Sequence, residues 1–248
     1  MLNKIFTLLL ICISLISCTM KKPLVIGHRG AMGHETENTL PSIQKAIDLG
    51  VDMIEIDVFK IKSGEIVVFH DDTVDRLTNA PGNIEEYNIL DLKKLIVDGG
   101  HQIPMLQDVL KLIDNKVALN IELKGAGTAD KVNFIMDYYI KQKNWSPENF
   151  IISSFNWDEL KEMRKKNPDV AIAVLTGKNP VDAIPIAKEL NAVAINPYFE
   201  ELNLEVANEI RDAGFKIYTW TVNDPTDIEA MKKIGVDGII TNFPERVN

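Results

Sequence analysis

From residue 24 onward, short apolar runs rich in Val and Ile alternate with stretches of helical period. The runs at 24–28, 52–58, 118–123, 150–155, 170–175, 192–196, 216–221 and 237–241 read as buried parallel strands, apolar on both faces. Between them, amphipathic patterns predict helices near 40–49, 105–114, 129–142, 157–166, 181–190, 204–213 and 226–234. In the first of these, Leu40, Ile43, Ala46 and Ile47 fall on one face. Boundary signals agree: Asp224-Pro225 reads as a cap followed by proline in the first turn. Gly50, Gly214 and Gly235 stand where a helix must end in a left-handed residue. Eight strands with interleaved helices predict an α/β protein, a closed (β/α)8 TIM barrel. A doubly wound open sheet is the alternative. The strand count and the lack of a Gly-rich dinucleotide turn after the first strand favour closure.

A ninth apolar run, 65–69, starts only about six residues after the strand ending near Val58, where a parallel crossover needs about a dozen. It therefore predicts an antiparallel hairpin turning at Ser63-Gly64, which returns His70 to the level of Asp57. Residues 71–103 have no clear period. They read as a loop-rich insertion with one short helix near 91–96.

The first 18 residues follow a different pattern. Lys4 precedes a short apolar core from Ile5 to Ile16, too short and wrongly flanked for a membrane span. Its end, Leu15-Ile16-Ser17-Cys18, resembles a bacterial lipobox. Residues 1–17 then read as a cleaved signal peptide, Cys18 as the lipidated N-terminus, 18–23 as a tether and 24–248 as the barrel. An ordinary signal peptide ending in a free Cys is the alternative. The lipobox reading places the protein outside the cytoplasm, tethered to a bacterial membrane on its periplasmic or outer-membrane face. The remaining Cys, at position 12, lies in the removed segment, so no disulfide framework is available. Among 248 residues, 46% hydrophobic and 25% charged are globular proportions. A diffuse net charge of -9 argues against nucleic acid as a partner and against holding anionic lipid by surface charge. Oligomeric state is not readable.

In such barrels, chemistry collects at the C-terminal strand ends, and ionisable residues appear there. His28 and Arg29 follow the first strand, Glu55 and Asp57 share one face of the second, His70 and Asp71 end the hairpin, and Glu122 and Lys124 close the third strand. Carboxylates Glu55, Asp57 and Glu122 would repel one another inside a barrel. One divalent cation, Mg2+ or Ca2+, relieves that repulsion with oxygen ligands alone. Burial as salt bridges with Arg29 and Lys124 is the structural alternative. His28 and His70 at one rim could act as an acid/base pair, and Arg29 and Lys124 could hold a phosphate. His34 and His101 fall in predicted loops and carry no catalytic expectation.

The segments HRG (28–30), ENT (37–39), EIDV (55–58), HD (70–71), IELK (121–124), TWTVN (219–223) and DGIITNFP (237–244), in this order, resemble the glycerophosphodiester phosphodiesterase family over residues 24–245. The resemblance implies hydrolysis of glycerophosphodiesters to glycerol 3-phosphate and an alcohol. It makes Glu55, Asp57 and Glu122 metal ligands, His28 and His70 the acid/base pair, and Arg29 and Lys124 phosphate binders. It further implies attack by the glycerol 2-hydroxyl, then opening of the cyclic phosphate by water. By the same resemblance, Glu37 orients His28 or Arg29 and Trp220 packs on the glycerol or leaving group at the mouth. Asn38 or Thr39 is expected to cap the first helix. Asn242 stands where many relatives carry Asp. The 71–103 insertion is short for the family, which predicts a more open site. A phospholipase-like enzyme acting on intact lipids and a binding lipoprotein without turnover are the competing readings. The first needs an exposed apolar rim; the second needs no pair of histidines.

Overall fold

The computed structural model describes residues 22–248. The expected signal peptide and lipobox, with Cys18, lie outside these residues. Of the expected tether only Lys22 and Pro23 are described. Pro23 is buried and Lys22 Nζ donates to Asn248 Oδ1 at 2.9 Å, so packing against the barrel begins before residue 24.

Eight parallel strands close on themselves. They are β1 (Leu24–Gly27), β2 (Met53–Lys60), β4 (Ala118–Leu123), β5 (Phe150–Ser154), β6 (Ala171–Thr176), β7 (Ala194–Pro197), β8 (Lys216–Thr219) and β9 (Gly238–Thr241). Each pairs with the next, and β1 pairs with both β2 and β9, which shuts the barrel. β3 (Ile66–Val68) runs antiparallel to β2, with Val58 opposite Val68. Phe69 N donates to Asp57 O at 3.0 Å, so the hairpin brings His70 to the level of Asp57, as its length predicts.

The strand faces divide as a barrel requires. Val25, Ile54, Ile56, Leu119, Ile121 and Ile152 point outward into the main core under the helices. Ile26, Met53, Ile151, Ala173, Ala194, Tyr218 and Ile240 fill the interior. The helices covering the outer face are α1 (Leu40–Asp48), α3 (Leu106–Ile113), α4 (Ala129–Lys143), α5 (Trp157–Lys166), α6 (Ile184–Glu189), α7 (Leu204–Asp212) and α8 (Pro225–Ile234). α8 shows why the boundary signals work. Asp224 Oδ1 accepts from Thr226 N at 2.7 Å and Gly235 ends the helix at φ 81°. Removing such a cap costs about 1 kcal/mol. The expected 181–190 helix instead starts as a 3-10 turn (Pro180–Ala183) before α6, because Pro185 cannot donate in a longer α-helix. After β9 only a 3-10 turn follows, Pro244–Arg246. Among the described residues no helix is long and apolar enough to cross a membrane.

The insertion is better organised than its sequence suggests. Its short helix, α2 (Ile89–Leu92), starts earlier than expected because Asn88 Oδ1 accepts from Asp91 N at 3.1 Å. Val74, Leu77, Ile84, Leu92, Leu95, Val97 and Ile103 pack with Phe59, Ile61, Val67 and Phe69 of the hairpin into a second, smaller core. The hairpin and the loop after His70 are thereby fixed above the barrel.

Candidate active site

The HRG turn delivers the first two side chains. Arg29 (φ 50°) and Gly30 (φ 86°) are both left-handed. The chain doubles back so that Arg29 N donates to Glu55 Oε2 at 3.0 Å and Ala31 N to Ser42 Oγ at 3.0 Å. A Cβ on residue 30 would lie 2.5 Å from Ser42 Oγ and 2.6 Å from the Ser42 backbone carbon, so only glycine fits against the start of α1.

Glu55 and Asp57 alternate inward on β2, and the β2–β4 register sets Asp57 beside Glu122 and Glu55 beside Asn120. One oxygen from each of the three carboxylates lies within 4.8 Å of the others, and all three residues are buried. At that spacing and an effective dielectric of about 20, each ionised pair repels by about 3.5 kcal/mol. The counter-charges are fewer. Lys124 Nζ donates to Glu122 Oε1 at 2.9 Å and lies 3.8 Å from Asp57 Oδ1. Arg29 Nε lies 3.3 Å from Asp57 Oδ2, misaligned for a hydrogen bond, and its Nη1 donates to a fourth carboxylate, Glu37 Oε1, at 2.7 Å. Among the described residues Glu55 Oε1 is buried without a hydrogen-bond partner.

The salt bridges of the structural alternative are therefore present but insufficient. Burial, then the charges of Asp57 and Glu122, push the Glu55 carboxyl well above the usual range. Glu122 is pushed up to about 7 by burial and Asp57, against the pull of Lys124. Burial works against the charges of Arg29 and Lys124, yet the surrounding carboxylates hold both above their ordinary values. An all-oxygen donor set with excess negative charge and an orphaned buried oxygen fits a hard divalent cation.

Both histidines are held through Nδ1. His28 Nδ1 lies 2.7 Å from Asn242 Oδ1, and His70 Nδ1 lies 2.6 Å from Asp71 Oδ1. Each acceptor fixes the tautomer with Nδ1–H, leaving Nε2 for the cavity. Burial and the neighbouring Arg29 lower His28 to about 4, so it is neutral at pH 7. Lys124 Nζ stands 3.4 Å from His70 Nε2.

His28, Arg29, Glu55, His70, Glu122, Lys124 and Trp220 line one cavity with an empty volume of about 440 Å³. Asp57 is buried and not in the wall, but it contacts Arg29 and Lys124, which are. Glu37 is not in the wall. It backs Arg29, not His28, and its carboxyl is held low because hydrogen bonds from Arg76 and Arg29 outweigh its burial. Trp220 follows the end of β8 and donates Nε1 to Asn196 O at 2.9 Å. Phe155 and Tyr198 pack against it, each 5.3 Å between ring centroids, into an aromatic wall of which only Trp220 was expected. Thr39 caps α1, accepting from Ser42 N, while Asn38 (φ 58°) brackets Asp57. Its Nδ2 donates to Asp57 Oδ2 at 2.8 Å and its Oδ1 accepts from Asp57 N at 3.3 Å. Sequence reasoning also missed Arg76, which bonds both Glu37 and Asp71; Asp71-to-Arg76 spacing within a periodless loop gave no signal. His34 pairs with exposed Glu245 and takes no part in the cavity.

The profile of the Glycerophosphoryl diester phosphodiesterase family matches residues 28–246. A glycerophosphodiester phosphodiesterase of Caldanaerobacter subterraneus subsp. tengcongensis is 37% identical over 233 residues, covering 90% of this chain and 96% of the relative. The solved structure of an Oleispira antarctica phosphodiesterase in complex with the product sn-glycerol-3-phosphate superposes with a TM-score of 0.83 at 26% identity, covering 91% of this chain and 95% of that one. A glycerophosphodiester phosphodiesterase from Thermotoga maritima superposes with a TM-score of 0.74 at 27% identity, over 90% and 96% of the two chains.

Proposed function

The chain belongs to the glycerophosphoryl diester phosphodiesterase family and is a glycerophosphodiester phosphodiesterase, and we propose the following division of labour among its residues. Glu55, Asp57 and Glu122 hold one divalent cation, Mg2+ or Ca2+. When bound, such an ion offsets the charge of the phosphodiester and polarises its P–O bonds. Arg29 and Lys124 bind the phosphate oxygens, the first as a planar fork and the second as a point charge. Trp220 packs on the glycerol or leaving group.

His28 takes the proton of the glycerol 2-hydroxyl as that oxygen attacks phosphorus, since its neutral form dominates at pH 7. His70 enters this step doubly protonated, its Nδ1–H held by the Asp71 carboxylate, and gives the Nε2 proton to the departing alcohol oxygen as the P–O bond breaks. In the second step the roles reverse: His70 takes a proton from water attacking the cyclic phosphate, and His28 returns its proton to the 2-oxygen. The internal hydroxyl needs no second substrate to be captured, which favours this route entropically. The observation that carries the reading is the convergence of three buried carboxylates, two cations and two Nδ1-anchored histidines on one cavity. A binding protein without turnover has no use for the second imidazole.

Residues 1–17 are proposed as a signal peptide and Cys18 as the lipidation site, which anchors the enzyme outside the cytoplasm. Leu24 starts β1 at the barrel end opposite the catalytic strand ends. An anchor a few residues upstream therefore sets the mouth away from its own membrane, which supports water-soluble glycerophosphodiesters over intact bilayer lipids. Burial of most apolar residues of the insertion in its own core supports the same choice. The test is glycerol 3-phosphate release from a panel of glycerophosphodiesters. Release is expected to stop in chelator and to return with Mg2+ or Ca2+; release untouched by chelator would defeat the metal assignment.

A further inference from the structure

Arg76 belongs to none of the groups assigned above, yet it makes four hydrogen bonds to two carboxylates that touch the machinery. Its Nε donates to Asp71 Oδ2 at 2.6 Å and its Nη2 to Asp71 Oδ1 at 3.0 Å. On the other side, Nη1 donates to Glu37 Oε2 at 2.9 Å and Nη2 to Glu37 Oε1 at 2.8 Å. Asp71 is the acceptor that orients His70, and Glu37 the acceptor that holds Arg29. We propose that Arg76 is a positioning residue that locks His70 and Arg29 into one rigid unit, through the continuous chain His70–Asp71–Arg76–Glu37–Arg29. The proposal rests on the roles given above to His70 and Arg29.

Three features support it. First, the guanidinium is planar with its donors in a fixed fork, so two carboxylates held bidentately are fixed relative to each other as well as to the arginine. A lysine ammonium cannot do this. Second, the arginine is itself held. Its neighbours Val74 and Leu77 are buried in the second core, and Thr78 N donates to Val74 O at 3.0 Å, so the loop that carries Arg76 is anchored on both sides. Third, the hydrogen bonds from Arg76, with that of His70, hold the Asp71 carboxyl down at about 2 despite partial burial. Asp71 thus stays an acceptor for Nδ1–H and does not compete for the proton His70 must move. The insertion therefore supplies more than a rim: it supplies the clasp between the acid/base group and the phosphate-binding arm.

The test is steady-state kinetics on glycerophosphocholine at saturating Mg2+, with melting temperatures alongside. Arg76→Ala is expected to lower kcat about 30- to 100-fold and to raise KM several-fold, since both His70 and Arg29 lose their register. Millimolar guanidinium ion is expected to restore part of kcat in Arg76→Ala and none in wild type. Combining Arg76→Ala with Asp71→Asn is expected to cost little more than the worse single change, because both break one chain. Arg76→Lys, which keeps the charge and most of the stem, is expected to fold normally and still lose at least 10-fold in kcat. Wild-type turnover in Arg76→Lys, or losses that multiply in the double variant with no guanidinium rescue, would overturn the clasp. His70→Ala in the same series separates the two levels. An active His70→Ala defeats the underlying roles, whereas an inactive one beside a fully active Arg76→Ala defeats the clasp alone.

Discussion

Replacing Glu55 by Gln is expected to stabilise the metal-free enzyme while removing its response to metal. Glu55 Oε2 accepts from Arg29 N, which a Gln carbonyl can also do, and Oε1 has no partner among the described residues to lose. What disappears is charge. Each of its two carboxylate neighbours repels it by about 3.5 kcal/mol at an effective dielectric of about 20, and lost attraction to Arg29 returns part of that. Glu122 points the same way: burial and then the charge of Asp57 push its carboxyl up to about 7, so negative charge is disfavoured at this site. A net gain of about 2–3 kcal/mol at pH 8 corresponds to about 5–10 °C in melting temperature for a chain of this size. The sign with pH follows from the raised carboxyls. Both are protonated in the native state below the unfolded value near 4.5, where no penalty exists, and the penalty grows as pH rises from there to the native values and levels off above them. In chelator, the advantage of Glu55→Gln should therefore be small at pH 5 and large at pH 8. His28 contributes oppositely: lowered to about 4, it withdraws stability as pH falls below 6.5. That contribution cancels when variant and wild type are compared at the same pH. With Mg2+ or Ca2+ added, wild type should gain stability and the variant should not. Thermal melts at four pH values, with and without cation, decide the matter. A variant that melts below wild type at pH 8 in chelator would mean that Arg29 and Lys124 already satisfy the cluster, and the argument for a cation would fall.

His70→Ala should lower kcat by about 10²–10⁴-fold with the melting temperature little changed, because the ring is part-exposed and outside the cores; stopped-assay product release measures it. Asn242→Asp should raise the His28 titration midpoint from near 4, since a carboxylate at Nδ1 favours the imidazolium that burial and Arg29 now oppose; ring resonances followed by NMR across pH 3–8 would show it, and an unmoved midpoint would refute the assignment of Asn242 as His28's orienting partner. Cys18→Ser should move the protein from the membrane fraction to the soluble fraction, and persistent membrane attachment would defeat the lipobox reading.

The barrel and the inner ring of the site were readable because both follow from strand periodicity. Val/Ile runs of the right length predict buried parallel strands, and a two-residue spacing puts Glu55 with Asp57 on one face whatever the rest of the chain does. The hairpin was readable from chain length alone, since six residues cannot make a parallel crossover. The departures are local and physical. Trp220 lies past the end of β8, and with Pro185 in its first turn the α-helix expected over 181–190 shortens to α6, preceded by a 3-10 turn.

The ring orientations were not readable, for a reason that bears on function. A strand end places a side chain at the rim, but the atom that accepts from its imidazole comes from elsewhere: Asn242 lies 214 residues from His28. No local period links such partners. The second core has the same character. Val74, Ile84, Leu95 and Ile103 are spaced irregularly because they converge from a winding loop and not from a helix or strand. Their burial is nevertheless what holds Arg76 at a fixed place over Glu37 and Asp71. Periodic sequence thus fixes which groups meet at the mouth, and aperiodic sequence fixes how they are aimed. It follows that substitutions in the 74–103 core, such as Leu77→Ala, should act on turnover through the aim of His70 and Arg29 while leaving the barrel strands and the carboxylate cluster in place.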